Sequence, residues 1–316
     1  MPLLVKPVTA APPDQGGGGG EPGPVRLINL MWTSPTGDML PLMTEGNGVH
    51  VLAGIDGLGA APRALTFQPL ATGGSMARWS HVDQRLITLP LHMQAAANAD
   101  LVALRRRVIK AFTDTTPAAG VPQPGVVRVS RSDGTWREIE AIYLDGLGGA
   151  DETTLSPTID RAVLQLVAPD PWFYGVSTVA AEFTTNTVLR NYLSPYETVS
   201  TGRTLGPVEV EVTSDVAVSP VWEITGPATS VTVRYDPTGP GFTYGAIAAG
   251  RVITVNVEDY TVTDETGANR ISGIGWPTSV LFRLNPGPNS LLISITGGVD
   301  GVSKVRLSYR PRFESA

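Results

Sequence analysis

The stretch Val163-Leu164-Gln165-Leu166-Val167-Ala168-Pro169-Asp170-Pro171-Trp172-Phe173-Tyr174-Gly175 decides how the chain is read. It is an apolar strand that runs straight into a Pro-Asp-Pro-aromatic corner. Proline at 169 and 171 removes backbone donors and fixes φ, so the strand cannot continue, and the aromatics that follow need a surface to pack on. The corner reads as a junction that ends one domain and aims the chain at the next.

Working outward, 316 residues suit two domains better than one core. Gly (35) and Pro (27) make up about a fifth of the chain, above ordinary usage yet below the level of disordered sequence, which points to many turns. Charged residues reach only 16%, and no apolar run is long enough for a membrane helix, so much of the surface is expected to face other protein. Without Cys there are no disulfides and no thiolate zinc site, which leaves packing and assembly as the sources of stability. A net charge of −6 argues against a sequence-specific nucleic-acid binder. The N-terminus lacks the pattern of a secretory signal.

Residues 1–24 hold Pro12-Pro13, Gly16 to Gly20, Pro22 and Pro24, and read as a flexible arm. A first domain is expected over 25–175. It opens on the apolar run from Val25 to Trp32 and a hairpin turn at Ser34-Pro35-Thr36-Gly37-Asp38. One helix stands out. With Asn98 as its candidate cap, Leu101, Leu104, Val108 and Phe112 recur at helical spacing, Asp100 lies in the first turn and Lys110 in the last. Its other face carries Arg105, Arg106, Arg107 and Lys110, the densest basic cluster in the chain. That face is either solvated or a protein interface, and the acidic total favours protein over nucleic acid.

Beyond the helix, Gly125–Arg131 and Trp136–Tyr143 flank Ser132-Asp133-Gly134. A three-residue loop with left-handed Gly134 would set Val127 opposite Ile139 and Arg128 opposite Glu138, whereas a two-residue loop would set Val127 opposite Glu140. The three-residue loop is expected. Glu138 and Glu140 share a strand face where a glycosidase could place its acid and base, but a cross-strand partner for Glu138 is the simpler account.

Other constellations carry little chemistry. Gly54-Ile55-Asp56-Gly57-Leu58-Gly59 and Asp145-Gly146-Leu147-Gly148-Gly149 share an Asp-Gly-Leu-Gly core without the spacing of a nucleotide-binding loop, and read as turns. Gly73-Gly74-Ser75-Met76-Ala77 is one glycine short of a nucleophile elbow. The three histidines, at 50, 81 and 92, lack the spacing of a helical zinc site, although His81-Val82-Asp83 could orient an imidazole. No catalytic, cofactor or metal site is expected.

A second domain is expected over 176–316. From Thr204 the sequence reads as seven strands: Val208–Val212, Trp222–Thr225, Val231–Tyr235, Arg251–Val257, Val280–Leu284, Leu291–Thr296 and Lys304–Tyr309. Turn clusters separate them, most sharply Asn285-Pro286-Gly287-Pro288-Asn289, and the pattern is that of an antiparallel β-sandwich. Trp222, Trp276 or Tyr244, if exposed, could stack on sugars; packing in the core is the alternative. The fold class is thus mainly β: an N-terminal mixed β domain, barrel or sandwich, with one helix and a long hairpin, then the sandwich.

In order, Gly54-Ile55-Asp56-Gly57, Arg85-Leu86-Ile87-Thr88-Leu89-Pro90-Leu91, the Leu/Arg-rich helix, Asp133-Gly134-Thr135-Trp136-Arg137, Tyr143-Leu144-Asp145-Gly146-Leu147 and Ala168-Pro169-Asp170-Pro171-Trp172 resemble the distal tail proteins of long-tailed (siphovirus-type) bacteriophages, especially those of actinobacteria. In the second half Ser219–Gly226, Asp264–Arg270 and Leu284–Asn289 resemble the sandwich domain of those proteins, while the glycine-rich arm lies outside the pattern.

The resemblance implies a structural virion part and no enzyme: a homohexameric ring at the distal end of the tail, made in the host cytoplasm. N-terminal domains would surround a channel and sandwich domains would lie outside. Its implied partners are further copies of itself, the tail tube protein, tail-tip hub or baseplate proteins and the tape measure protein. An acidic balance would keep exiting DNA from adhering to the channel wall. The rival reading is a carbohydrate-binding adhesin of the tail tip; a tail-tip glycan hydrolase would need two facing carboxylates that the sequence does not reveal.

Overall fold

The computed structural model describes residues 3–4, 28–44, 46–131, 133–148, 156–184, 202–236 and 238–316. Most of the expected arm and residues 25–27 lie outside them. The chain divides into two compact units: residues 16–176 with 313–316, and residues 1–15 with 177–312. The last four residues thus return to the first unit, a path that the sequence reading does not contain.

After β1 (Leu3–Leu4) the first unit carries β2 (Ile28–Thr33), β3 (Met39–Pro41), β4 (Gly48–Val51), β5 (Arg63–Pro69), β6 (Ser75–Val82), β7 (Arg85–Gln94), α1 (Asn98–Thr113), β8 (Gly125–Arg131), β9 (Trp136–Asp145), β10 (Ile159–Ala168) and β11 (Phe173–Gly175). Its main sheet runs β3-β2-β8-β9-β10-β7-β4. The two ends of that path meet, because Val51 N donates to Leu42 O at 2.8 Å and Thr44 N to Val49 O at 3.2 Å. The sheet is a nearly closed barrel. Closure removes open edges and forces strict alternation, seen in β7, where Ile87, Leu89, Leu91 and Met93 point inward.

Helix α1 packs against this core through Leu101, Val108, Ala111 and Phe112. Phe112 stacks on Trp32 at 4.6 Å between ring centroids, and the Trp32 indole donates to Ala111 O at 2.9 Å. Burying two large rings and satisfying the one polar atom between them fixes the helix on the barrel. Asn98 is the first helical residue and not the cap; Ala97 holds that position without a side-chain bond. The start is set by tertiary packing in place of local capping.

The hairpin expectation at 125–143 holds. Val127 faces Ile139 and Arg128 faces Glu138, Gly134 has φ +80°, and Arg131 N bonds Thr135 O across the three-residue loop. The turn at Ser34–Asp38 likewise joins β2 to β3, with Gly37 at φ +87°. The two Asp-Gly-Leu-Gly segments turn out to be one device used twice. Gly57 at φ +86° lies where a Cβ would sit 2.1 Å from Leu86 O, and Gly146 at φ +102° where it would sit 1.8 Å from Val163 O. In each the Asp side chain accepts from the glycine N–H at 2.7 Å, and the following Leu packs on the barrel core. Any side chain at either glycine would push the loop off its strand.

The second unit holds β12 (Val179–Thr184), β13 (Gly202–Val212), β14 (Val221–Thr225), β15 (Ser230–Tyr235), β16 (Gly241–Tyr244), β17 (Val252–Asn256), β18 (Thr261–Asp264), β19 (Gly287–Thr296) and β20 (Lys304–Tyr309); β21 (Arg312–Phe313) follows. Two sheets, β1-β13-β19-β15-β16 and β12-β20-β14-β17-β18, enclose a core around Trp222, Phe242 and Phe282. This is a sandwich, antiparallel throughout except that β1 runs parallel to β13, Leu3 beside Val208. The strand inventory needs correction. Val280–Leu284 is no strand: Phe282 and Leu284 are buried, but the segment makes one bridge, Leu284 to Val218, and no ladder. Four strands outside the expected seven, β1, β12, β16 and β18, complete the sheets. Apolar alternation reports burial, and a ladder needs a free neighbouring edge as well.

Between β18 and the 3₁₀ turn Ile271–Gly273, Asp264 organises a tight loop. Its carboxylate accepts from Thr266 N (3.0 Å), the Thr266 hydroxyl and Ala268 N (3.1 Å), and from Arg270 Nε (2.8 Å) and Arg251 Nη2 (3.0 Å). The Thr266 hydroxyl foremost, then Arg270, holds this carboxyl far below the ordinary range. A carboxyl depressed in the folded state adds stability above its unfolded value and loses it as pH falls towards the folded one. The difference in urea midpoint between the parent and Asp264→Asn should therefore be flat above about pH 5 and shrink below about pH 4. A difference that stays constant down to about pH 2 would show that the ionised group is not what holds the loop.

Candidate interaction surface

Among the described residues strands β5 and β6 pair only with each other. Their register runs from Arg63 opposite Val82 to Pro69 opposite Ser75, with a bulge between Thr66 and Phe67. Nearly every residue on both faces of this hairpin is exposed. Yet it bears large apolar side chains: Leu65, Phe67 and Trp79 are 52%, 55% and 66% exposed, and Leu70 and Met76 are exposed beside them. An isolated two-stranded ribbon is marginal in water, and a cluster of exposed apolar groups marks a contact surface. Gly73-Gly74-Ser75 forms the tip, with both glycines at positive φ, so the elbow-like motif is a hairpin turn.

The base of the hairpin is fixed by Arg85, which is 1% exposed. Its Nε donates to Pro171 O at 2.8 Å, its Nη1 to Gly57 O at 2.7 Å and Gly59 O at 2.8 Å, and its Nη2 to Glu314 O at 2.7 Å. The guanidinium also lies 5.0 Å from the centroid of Phe173. One planar cation therefore ties together the glycine loop, the Pro-Asp-Pro corner and the returning C-terminal segment. Only arginine offers enough donors in a fixed fork for this, and all of its partners are carbonyls. Burial lowers its pKa, and the Glu314 charge offsets part of that shift. Sequence reasoning missed this residue; its only trace was an Arg leading an alternating strand.

The basic face of α1 is partly engaged within the chain. Arg107 reaches Asp38 at 2.9 Å and Met39 O at 3.1 Å, and Arg105 lies 3.5 Å from Asp160 and 3.4 Å from Gly148 O. The Arg107 side chain holds the Asp38 carboxyl below its ordinary value. Arg106 and Lys110 make no ion pair within bonding distance among the described residues, although the Lys110 charge helps to lower the Asp38 carboxyl.

Other sequence candidates resolve one by one. Glu138 bonds Arg128 at 3.0 Å, the expected cross-strand partner, while Glu140 is exposed. His50 and His92 face each other across β4 and β7, and His81 lies on the exposed hairpin. No group of three or more His, Asp or Glu among the described residues could hold a metal. Trp222 and Tyr244 are buried in the sandwich, which corrects their candidacy for sugar stacking; Trp276 is 50% exposed. Among the described residues no helix is long and apolar enough to cross a membrane.

No protein-family model matches the sequence, and neither does any curated protein. Solved structures do match. The crystal structure of the Dit protein of phage SPP1, described as a paradigm of the hub adsorption apparatus in phages infecting Gram-positive bacteria, aligns at TM-score 0.63 and 13% identity over 91% of this chain and 100% of that one. The phage P2 baseplate in its activated conformation with Ca aligns at TM-score 0.49 and 9% identity over 92% of this chain and 100% of that one. This chain has the fold of the SPP1 Dit protein along nearly its whole length.

Proposed function

We propose that the chain is a structural subunit of a phage tail hub. Six copies form a ring at the distal end of the tail of a siphovirus-type phage of an actinobacterial host, joining the tail tube to the tip or baseplate. Its partners are copies of itself, the tube protein, tip or baseplate proteins and the tape measure protein, and it is a structural part of the virion, made in the host cytoplasm. The observation that carries this reading is the β5–β6 hairpin, whose apolar residues are exposed on both faces. A subunit of a closed ring uses two unlike surfaces, and a projecting apolar element is one half of such a contact. The hub-like fold and the order of the sequence segments support the same reading.

Size-exclusion chromatography with light scattering tests it on the full chain. A ring-sized particle is expected, alone or on mixing with tube protein. A monomer under both conditions would overturn the reading. Of the three aromatics considered for sugar stacking, Trp276 is the exposed one, and the adhesin alternative predicts saturable glycan binding that Trp276→Ala abolishes.

A further inference from the structure

The chain leaves the first unit at Val176 and comes back at Phe313. Arg312, the last residue of the second unit, is pinned there by its main chain. Ser214 Oγ donates to Arg312 O at 2.6 Å, Asp215 N donates to Arg312 O at 2.9 Å, and Arg312 N donates to Ser214 Oγ at 2.9 Å. The very next residue belongs to the first unit. The Phe313 ring lies 3.8 Å under the Arg137 guanidinium, Glu314 O accepts from buried Arg85, Ser315 Oγ accepts from Arg131 at 3.0 Å, and Ala316 N donates to Leu58 O at 2.9 Å. Ala316 itself is buried in the barrel core. One peptide bond separates the two sets of anchors.

We propose that residues 312–316 are a latch that couples the stability of the two units. The first unit keeps a full set of partners for Arg85, Arg131 and Arg137 only while the tail is docked. With the sandwich folded, Arg312 is held in place and docking the next four residues orders little else. With the sandwich unfolded, docking the same residues has to close all of residues 177–312 into a loop, and that entropy opposes it. Folding of the second unit therefore completes the first, and a perturbation of the sandwich reaches the arginine cradle through the Arg312–Phe313 link. The groups that residues 313–316 supply to the first unit follow residues 177–312 in the chain, so that unit stays incomplete until the sandwich has been synthesised.

Scanning calorimetry of the full chain, compared with a variant carrying about ten Gly/Ser residues inserted between Arg312 and Phe313, tests the latch. The insertion keeps both sets of anchors and lengthens the one-bond link between them. The parent is expected to unfold in one transition and the slack variant in two. Two transitions in the parent, or one in both proteins, would overturn the proposal. Hydrogen exchange gives a second reading: Trp222→Ala, in the sandwich core, should speed exchange of the Ala316 and Tyr174 amides about tenfold or more in the parent background and leave them unchanged in the slack one. First-unit amides that ignore Trp222→Ala in the parent would equally sink it.

Discussion

Arg85→Met is expected to cost the first unit about 3–5 kcal/mol, enough to unfold a marginal domain at physiological temperature. The methionine fills much of the same space, so the loss is chiefly polar. It strands the carbonyls of Pro171, Gly57, Gly59 and Glu314, each of which accepts an Arg85 N–H at 2.7 or 2.8 Å. An acceptor left buried without a donor costs about 1–3 kcal/mol, and some of these will find water once the loop relaxes, which sets the range. Arg85→Lys restores the charge but offers fewer donors without the fork, and should recover less than half of the loss. Urea unfolding followed by tryptophan fluorescence measures both variants; a change under about 1 kcal/mol for Arg85→Met would mean that the cradle does not hold the corner.

The combined substitution Leu65→Ser, Phe67→Ser and Trp79→Ser acts at the opposite extreme. These side chains are exposed, so removing them takes little from the core and the urea midpoint should move by less than about 0.5 kcal/mol equivalent. Self-association should weaken by a hundredfold or more, since buried aromatic anchors dominate interface energies, at about 2 kcal/mol or more each. Light scattering across a concentration series reads the effect. A variant that assembles as the parent does would exonerate the hairpin and shift attention to Arg106 and Lys110 on the helix face.

Much of the fold is legible in short-range pattern. The loop Ser132-Asp133-Gly134 sets the β8–β9 register because a single left-handed glycine chooses between two pairings, and that choice decides whether Glu138 meets Arg128. The helix is legible because Leu101, Val108 and Phe112 share a face. The spacing of Phe282 and Leu284 reports burial correctly but promises a strand that has no ladder to join. The β5–β6 hairpin escapes a sequence reading because alternating Leu65 and Phe67 look the same whether they face a core or a neighbouring subunit.

What the sequence determined by itself is local: turn handedness, strand and helix faces, and a β-rich chain poor in charge. Those properties depend on neighbours a few residues apart, where backbone sterics and periodicity act. Only the tertiary structure decided the role of Arg85, whose carbonyl partners at Pro171 and Glu314 lie 86 and 229 residues away, and the return of the last four residues to the first unit. The physical reason is that a backbone carbonyl is present at every position and carries no side-chain signature, so the site that gathers them exists only once the chain has closed around it.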